Sequence, residues 1–129
     1  MVECHGPATV VFDKTLTEYN FGPQHPMSPL RVDLTMRLAD ELGVLDSGLQ
    51  VVPAPMAELE LIATVHSESL IEAVTRAGTE AGVVDLAHGL GTDDNPVFKD
   101  MHHASAHVVG ASVEAFRQVW SGESLHSAS

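Results

Sequence analysis

Three histidines, His102, His103 and His107, lie close together near the start of an expected helix. His103 and His107 stand at the i, i+4 spacing that lets two imidazoles reach one metal ion from one helix face. Position 104 is Ala, so the glutamate of a zinc-peptidase motif is missing. The plain alternative is three partly exposed helix histidines. Asp93 and Asp94 are adjacent in a glycine-rich stretch, where paired carboxylates share a proton, bind a cation or accept hydrogen bonds from a ligand. Turn chemistry is the alternative there, since Asp and Asn also bond their own backbone. Arg31 falls in a first helical turn, where a cation opposes the macrodipole. It therefore asks for a partner, either a carboxylate such as Asp33 or a polar cavity, unless it is a plain surface arginine. His25 precedes Pro26 and is a rim residue, a general base or a packed loop histidine, with nothing local to decide. Gly89-Leu90-Gly91 lacks a strand before it and a helix directly after it, so it is no phosphate loop. No nucleophile-elbow sequence occurs, and Cys4 has no activating base in its local sequence.

The elements that must position these groups fit in one domain of 129 residues. The chain is 44% hydrophobic, enough for a core, and 5% aromatic, so that core must be built mainly from aliphatic and small side chains. Six Lys and Arg against eighteen Asp and Glu give a formal net charge of −12, which repels nucleic-acid phosphates and anionic membrane surfaces. A single cysteine excludes an internal disulfide and a multi-cysteine zinc site. No basic and apolar leader opens the chain, and no apolar run approaches the ~18 residues that span a bilayer. These features lead us to expect a cytoplasmic protein that binds neither nucleic acid nor membrane.

Ala8-Thr9-Val10-Val11-Phe12, after Pro7 and before Asp13, reads as a short buried strand. Residues 19–27 hold Gly22, Pro23, Pro26 and two aromatics, a composition for a shaped loop. Ser28-Pro29 then opens a helix over 29–42, with Ser28 as N-cap, Pro29 in the first turn and Gly43 as left-handed C-cap. Leu30, Leu34, Leu38, Leu42 and Leu45 form its apolar stripe. Val51-Val52 suggests a second strand and 57–62 a short acidic helix. Ser67 caps a third helix, ending at Gly78, with Leu70, Ile71, Val74 and Ala77 on one face. Residues 79–94 have no period and describe a long irregular loop, which in a compact domain is functional or disordered. A last helix runs from about Asp100 to Val119, with Ala104, Val108, Ala111, Ala115 and Val119 on one stripe, and Gly110, Ala111 and Ser112 allow close approach of a neighbour. The serine-rich tail 121–129 reads as a frayed end.

Three ordered segments carry a family resemblance. Tyr19-Asn20-Phe21-Gly22-Pro23-Gln24-His25-Pro26-Met27-Ser28-Pro29-Leu30-Arg31 resembles the N-terminal signature of the histone deacetylase superfamily. Val65-His66-Ser67-Glu68-Ser69-Leu70-Ile71 is similar to its next landmark, and Gly89-Leu90-Gly91-Thr92-Asp93-Asp94-Asn95-Pro96-Val97-Phe98 to its third. The last of these, with Trp120-Ser121-Gly122, is most similar to the bacterial acetoin-utilisation deacetylases.

The resemblance implies an α/β chain, helix-rich, forming the N-terminal part of an arginase/deacetylase-type fold with a parallel sheet between helix layers. Residues 1–129 would be a partial domain that stops before the zinc-binding region. The implied activity is zinc-dependent hydrolysis of acetyl-lysine amides on proteins, linked to acetoin and acetate metabolism, with an acyl-CoA synthetase among the implied substrates. Asp94 matches the rim carboxylate that grips substrate N–H groups, His25 and Pro26 match the rim loop, and Arg31 matches an arginine of the internal cavity. The family's tandem catalytic histidines, zinc ligands and transition-state tyrosine fall beyond residue 129, and His102-His103 do not stand in for the tandem pair. We therefore expect no catalytic residue, no bound zinc and no hydrolysis from this chain alone. Strand one is expected to have few partners and an exposed edge, leaving the chain marginally stable or prone to aggregate. The alternative to an enzyme is a short, non-catalytic helical module that holds a peptide through its loops.

Overall fold

The computed structural model describes residues 6–79 and 83–129. Cys4 and Gly82 lie outside the described residues. The chain is α/β, with strand β1 at Ala8–Val11, helix α1 at Leu30–Glu41, strand β2 at Leu49–Val52 and a short helix α2 at Leu59–Ala63. Helices α3 at Glu68–Thr79 and α4 at Met101–Trp120 follow, and strand β3 at His126–Ala128 completes a three-stranded parallel sheet of order β2-β1-β3.

The strand alternation of β1 decides which side is core. Thr9 and Val11 are each 1% exposed and face α4. Val11 packs with Ala54, Ala111 and Ala115, with Leu16 and Val52 at the margin. Small residues on α4 make this possible. At Gly110 an added Cβ would stand 1.8 Å from the Pro55 carbonyl oxygen, so the proline-rich segment after β2 lies flat on the helix. The Ala57 N–H donates to the Ala106 carbonyl at 3.0 Å, and His107 Nδ1 lies 3.0 Å from the Ala54 carbonyl. A second core cluster, Ala73, Ala77, Leu90 and Met101, joins α3 to the start of α4.

Asp13 ends β1 and locks it to β2. Its carboxylate accepts from the Thr15 N–H at 2.8 Å and the Thr15 hydroxyl, and from the Ala54 N–H at 2.8 Å. The Thr15 hydroxyl bond, followed by the two N–H bonds, holds this carboxyl below its ordinary 3.8. The turn it starts is a 3-10 helix over Lys14–Glu18 that the sequence pattern did not signal.

Several expectations need correction. β1 is the central strand, paired on both sides, because the tail supplies its second neighbour. That tail is not frayed: the Ser124 hydroxyl meets the Thr9 hydroxyl at 2.5 Å in the interior, Leu125 N–H donates to Pro7, and Ser127 Oγ donates to the Ala115 carbonyl. Small hydroxyl side chains fit the narrow space between sheet and helix where their polar atoms find partners. Arg117, bridging Glu114 and Glu123, fastens the turn into β3 and, with the Gln118 amide, holds the Glu114 carboxyl at about 2.

Helix α1 exists as expected and Gly43 takes its left-handed φ of 69°. Ser28 Oγ accepts from the Leu30 N–H at 3.3 Å, although the residue at the helix boundary is Pro29. Its leucine stripe, however, faces outward. Leu30, Leu34, Leu38 and Leu42 are all exposed, and α1 buries no residue. Val32, Met36 and Ala39 turn instead toward the sheet across a groove of about 500 Å³. No described helix is long and apolar enough to cross a membrane.

Two outcomes follow from this packing. Gly110→Ala should cost about 1–3 kcal/mol by overpacking, read as a lower denaturation midpoint. Asp13→Asn should cost about 1–2 kcal/mol near neutral pH. Since the folded value of Asp13 lies below its unfolded 3.8, its stabilisation is full above that value and lost as pH falls through the folded one. The gap between native and variant thermal midpoints should accordingly be widest near about pH 6 and close on acidification below about pH 4.

Candidate functional site

Two loops distant in sequence meet beside the start of α4. The first, between the 3-10 turn and α1, is shaped by its own polar groups. Asn20 Oδ1 accepts from the Gly22 N–H at 2.8 Å, Gly22 takes φ 95°, and the His25 N–H returns to the Gly22 carbonyl. His25 Nδ1 accepts from the Met27 N–H at 3.1 Å, which leaves Nε2 to carry the proton of the neutral ring.

The second loop is held by its ends. Asp85 and Leu90 form an antiparallel bridge around a 3-10 turn at Leu86–His88, so the expected irregular stretch 79–94 contains a folded turn. Asp85 accepts from the His88 N–H at 3.2 Å and sits 2.9 Å from His88 Nδ1, with Arg76 at 3.5 Å. The His88 ring is the main cause of the depressed Asp85 carboxyl, and Arg76 adds its charge. Asn95 then closes the tip: its side-chain amide donates to the Gly89 carbonyl at 2.9 Å and its N–H to Thr92. Gly91, at φ 88°, lies so close to Val84 that a Cβ there would come within 2.8 Å. Asp93 and Asp94 are thereby presented at the exposed tip.

Aromatic rings bring the loops together. Phe98 meets Tyr19 at 5.4 Å and Phe21 at 5.6 Å, both edge to face, and Phe21 meets the His25 ring at 4.6 Å. Burial in this cluster raises the Tyr19 hydroxyl above its ordinary 10.0. Between the loops lies an open groove of about 510 Å³, walled by Phe21, Gln24 and His25 on one side and Val84, Thr92, Asp93 and Val97 on the other.

Of the residues singled out by sequence, His25 and Asp93 share this groove. Asp94 and Pro26 are exposed at loop positions adjoining wall residues, without lining it. Arg31 lies elsewhere, on the groove between α1 and the sheet, with its Nε donating to the Ser28 carbonyl at 3.4 Å. Sequence inspection overlooked Phe98 as the clamp and Asn95 as the closing residue. The Asn-Pro pair after two aspartates was the signal available for Asn95.

The described residues do not fit a zinc site. Among the described residues no group of three or more His, Cys, Asp or Glu is disposed to hold a metal ion. His103 and His107 have rings 4.8 Å apart, but His107 Nδ1 is engaged by the Ala54 carbonyl and His103 Nδ1 lies 3.7 Å from Glu18.

Residues 25–129 match the histone deacetylase domain. The chain belongs to the histone deacetylase family. Similar proteins include the acetoin utilization protein AcuC of Bacillus subtilis (strain 168), 37% identical over 122 residues, covering 92% of this chain and 31% of that protein. AcuC of Staphylococcus aureus (strain MRSA252) is 29% identical over 90% of this chain and 30% of its own length. AcuC of Staphylococcus xylosus is 31% identical over 87% and 29% respectively. This member of the family thus spans about a third of the length of the curated relatives it matches.

Tyr19 is the only tyrosine, so its titration can be read directly in the near ultraviolet. Phe98→Ala should uncover its ring and bring its ionisation back toward 10.0. An unchanged titration would show that Phe98 does not bury it.

Proposed function

We propose that this chain forms the substrate-facing rim of a zinc-dependent lysine deacetylase of the acetoin-utilisation type, which hydrolyses acetyl-lysine amides on proteins. The observation carrying the proposal is convergence: the loop around His25 and the loop ending in Asp93 and Asp94 wall one groove although some 70 positions separate them. Asp94 in this reading grips backbone N–H groups of the acetylated peptide. An ionised carboxylate accepts two such bonds, and charge-assisted bonds fix orientation. His25 and Pro26 flank the entry, and Arg31 belongs to the internal cavity. Because the described residues do not fit zinc, no hydrolytic step is derived from them, and the chain alone holds a peptide without cleaving it. The proposed substrate is an acetylated cytoplasmic protein, such as an acyl-CoA synthetase, linked to the acetoin utilization that the relatives' name states.

The same groove, together with the poor fit to zinc, favours a second reading: a non-catalytic module that only holds a peptide. A fluorescent acetyl-lysine peptide should bind the native chain, and Asp94→Ala should weaken it about tenfold, the scale of one lost charge-assisted contact. Equal affinity would remove the grip assigned to Asp94. Exchange of this chain for the matched 122 residues of the Bacillus subtilis relative separates the two readings. Acetyl-lysine hydrolysis by the chimera supports the deacetylase, whereas a folded, zinc-loaded chimera that binds peptide without cleavage supports the module.

A further inference from the structure

A pocket of about 180 Å³ lies where α2, α3 and α4 meet, and it shares no residue with the rim groove or with the groove beside α1. Its aliphatic wall is Ile62 of α2, Leu70, Ile71 and Val74 of α3, and Val109 of α4. All five are half-buried. Helices α3 and α4 close on each other at Ala73, Ala77 and Met101, and the pocket opens where they part. Its polar lining comes from His66, at the corner between α2 and α3, and from His102 and Ser105, about one turn apart on α4. The Ser105 hydroxyl donates to the Met101 carbonyl at 2.7 Å, so toward the pocket it has only lone pairs to offer. His25, His88 and His107 each have Nδ1 engaged within the chain. Among the described residues no hydrogen bond engages the ring of His66 or His102, and a neutral imidazole offers one donor and one acceptor.

These features define an occupant. An apolar cavity of about 150 Å³ stays dry and takes up benzene, so this pocket suits a molecule of about seven non-hydrogen atoms. No lining residue is a carboxylate, lysine or arginine, so an ionic ligand would enter without a fixed counter-charge. A net charge of −12 further disfavours an anion. A metal ion fits less well still, since the described residues give the two imidazoles no third ligand. Ser105 can only accept, and an imidazole N–H can only donate; a hydroxyl group satisfies both, whereas a ketone uses one.

We propose that this pocket binds a small neutral molecule with a compact hydrocarbon body and one hydroxyl group, the body against the aliphatic wall and the hydroxyl among His66, His102 and Ser105. The proposal does not depend on the acetyl-lysine reading.

The test titrates phenol into the full chain and follows the side-chain methyl signals by NMR, with benzene and benzoate as companion probes. Phenol should shift the methyls of Ile62, Leu70, Ile71, Val74 and Val109 saturably, with a midpoint of about 1 mM or below. The methyls of Val84 and Val97, in the rim groove, should stay in place. Val109→Phe fills the pocket and should weaken phenol about tenfold. A second variant keeps the proposal testable if the larger side chain unfolds the protein. His66→Phe with His102→Phe retains ring-shaped walls and removes the polar partners, so phenol should weaken about tenfold while benzene binds as before. Shifts that never saturate, shifts spread over the whole chain, or unchanged phenol affinity in the histidine variant overturn the proposal. Benzene or benzoate binding the native chain as tightly as phenol overturns it as well, the first by removing the hydroxyl contact and the second by removing the neutral class. Peptide affinity at Asp94 enters none of these readouts, so failure here leaves the rim reading standing.

Discussion

The contact between Gly110 and the Pro55 carbonyl governs where the other elements lie. With no side chain at position 110, the segment after β2 settles on α4 until the Ala57 N–H reaches the Ala106 carbonyl. That approach fixes α4 over β1, brings Ala111 and Ala115 onto Val11, and leaves just enough room for the tail serines. A narrow interface of alanines, glycine and serine explains how a chain with so few aromatic residues closes a core. It buries less apolar area per residue than a leucine interface would, and compensates with satisfied hydroxyls such as Thr9 and Ser124.

The order of the strands depends on the same contact. Because α4 runs back across β1, the chain leaving it at Ser121 emerges beside the free edge of that strand, and residues 126–128 pair there in parallel. Local composition could not reveal this, since serines and a histidine favour no strand by themselves. Pairing and burial, supplied by distant residues, override the polar reading of the tail. The strand Ala8–Val11 and helices α3 and α4 were legible as elements from their apolar periods, but the faces they bury match only in part: on α3 only Ala77 of the expected face is buried, and on α4 Ala104, Ala111 and Ala115 are buried while Val108 and Val119 are exposed. The period of α1 was legible too, but a period states that a helix has an apolar face and says nothing of what covers it.

At the rim, sequence spacing identified the two loops and left their meeting unexplained. Glycines and prolines marked them as shaped segments, yet the geometry comes from side chains acting across sequence distance: Phe98 against Tyr19 and Phe21, and Asn95 onto Gly89. Hydrogen bonds inside each loop fix local shape, and the ring cluster fixes the distance between loops. Asp93 lines the wall while Asp94 does not, a division between adjacent identical, exposed residues that spacing alone does not reveal.

The uneven distribution of burial ties these parts together. On the α4 side, Thr9 and Val11 are sealed and their polar neighbours paired. On the α1 side, aliphatic residues of both strand and helix border open space, and the helix shows water a row of leucines. Apolar surface on this scale favours association, whereas a net charge of −12 opposes like-with-like contact at long range. The rim groove and the groove beside α1 are lined by different residues, so the two are separate features of one fold.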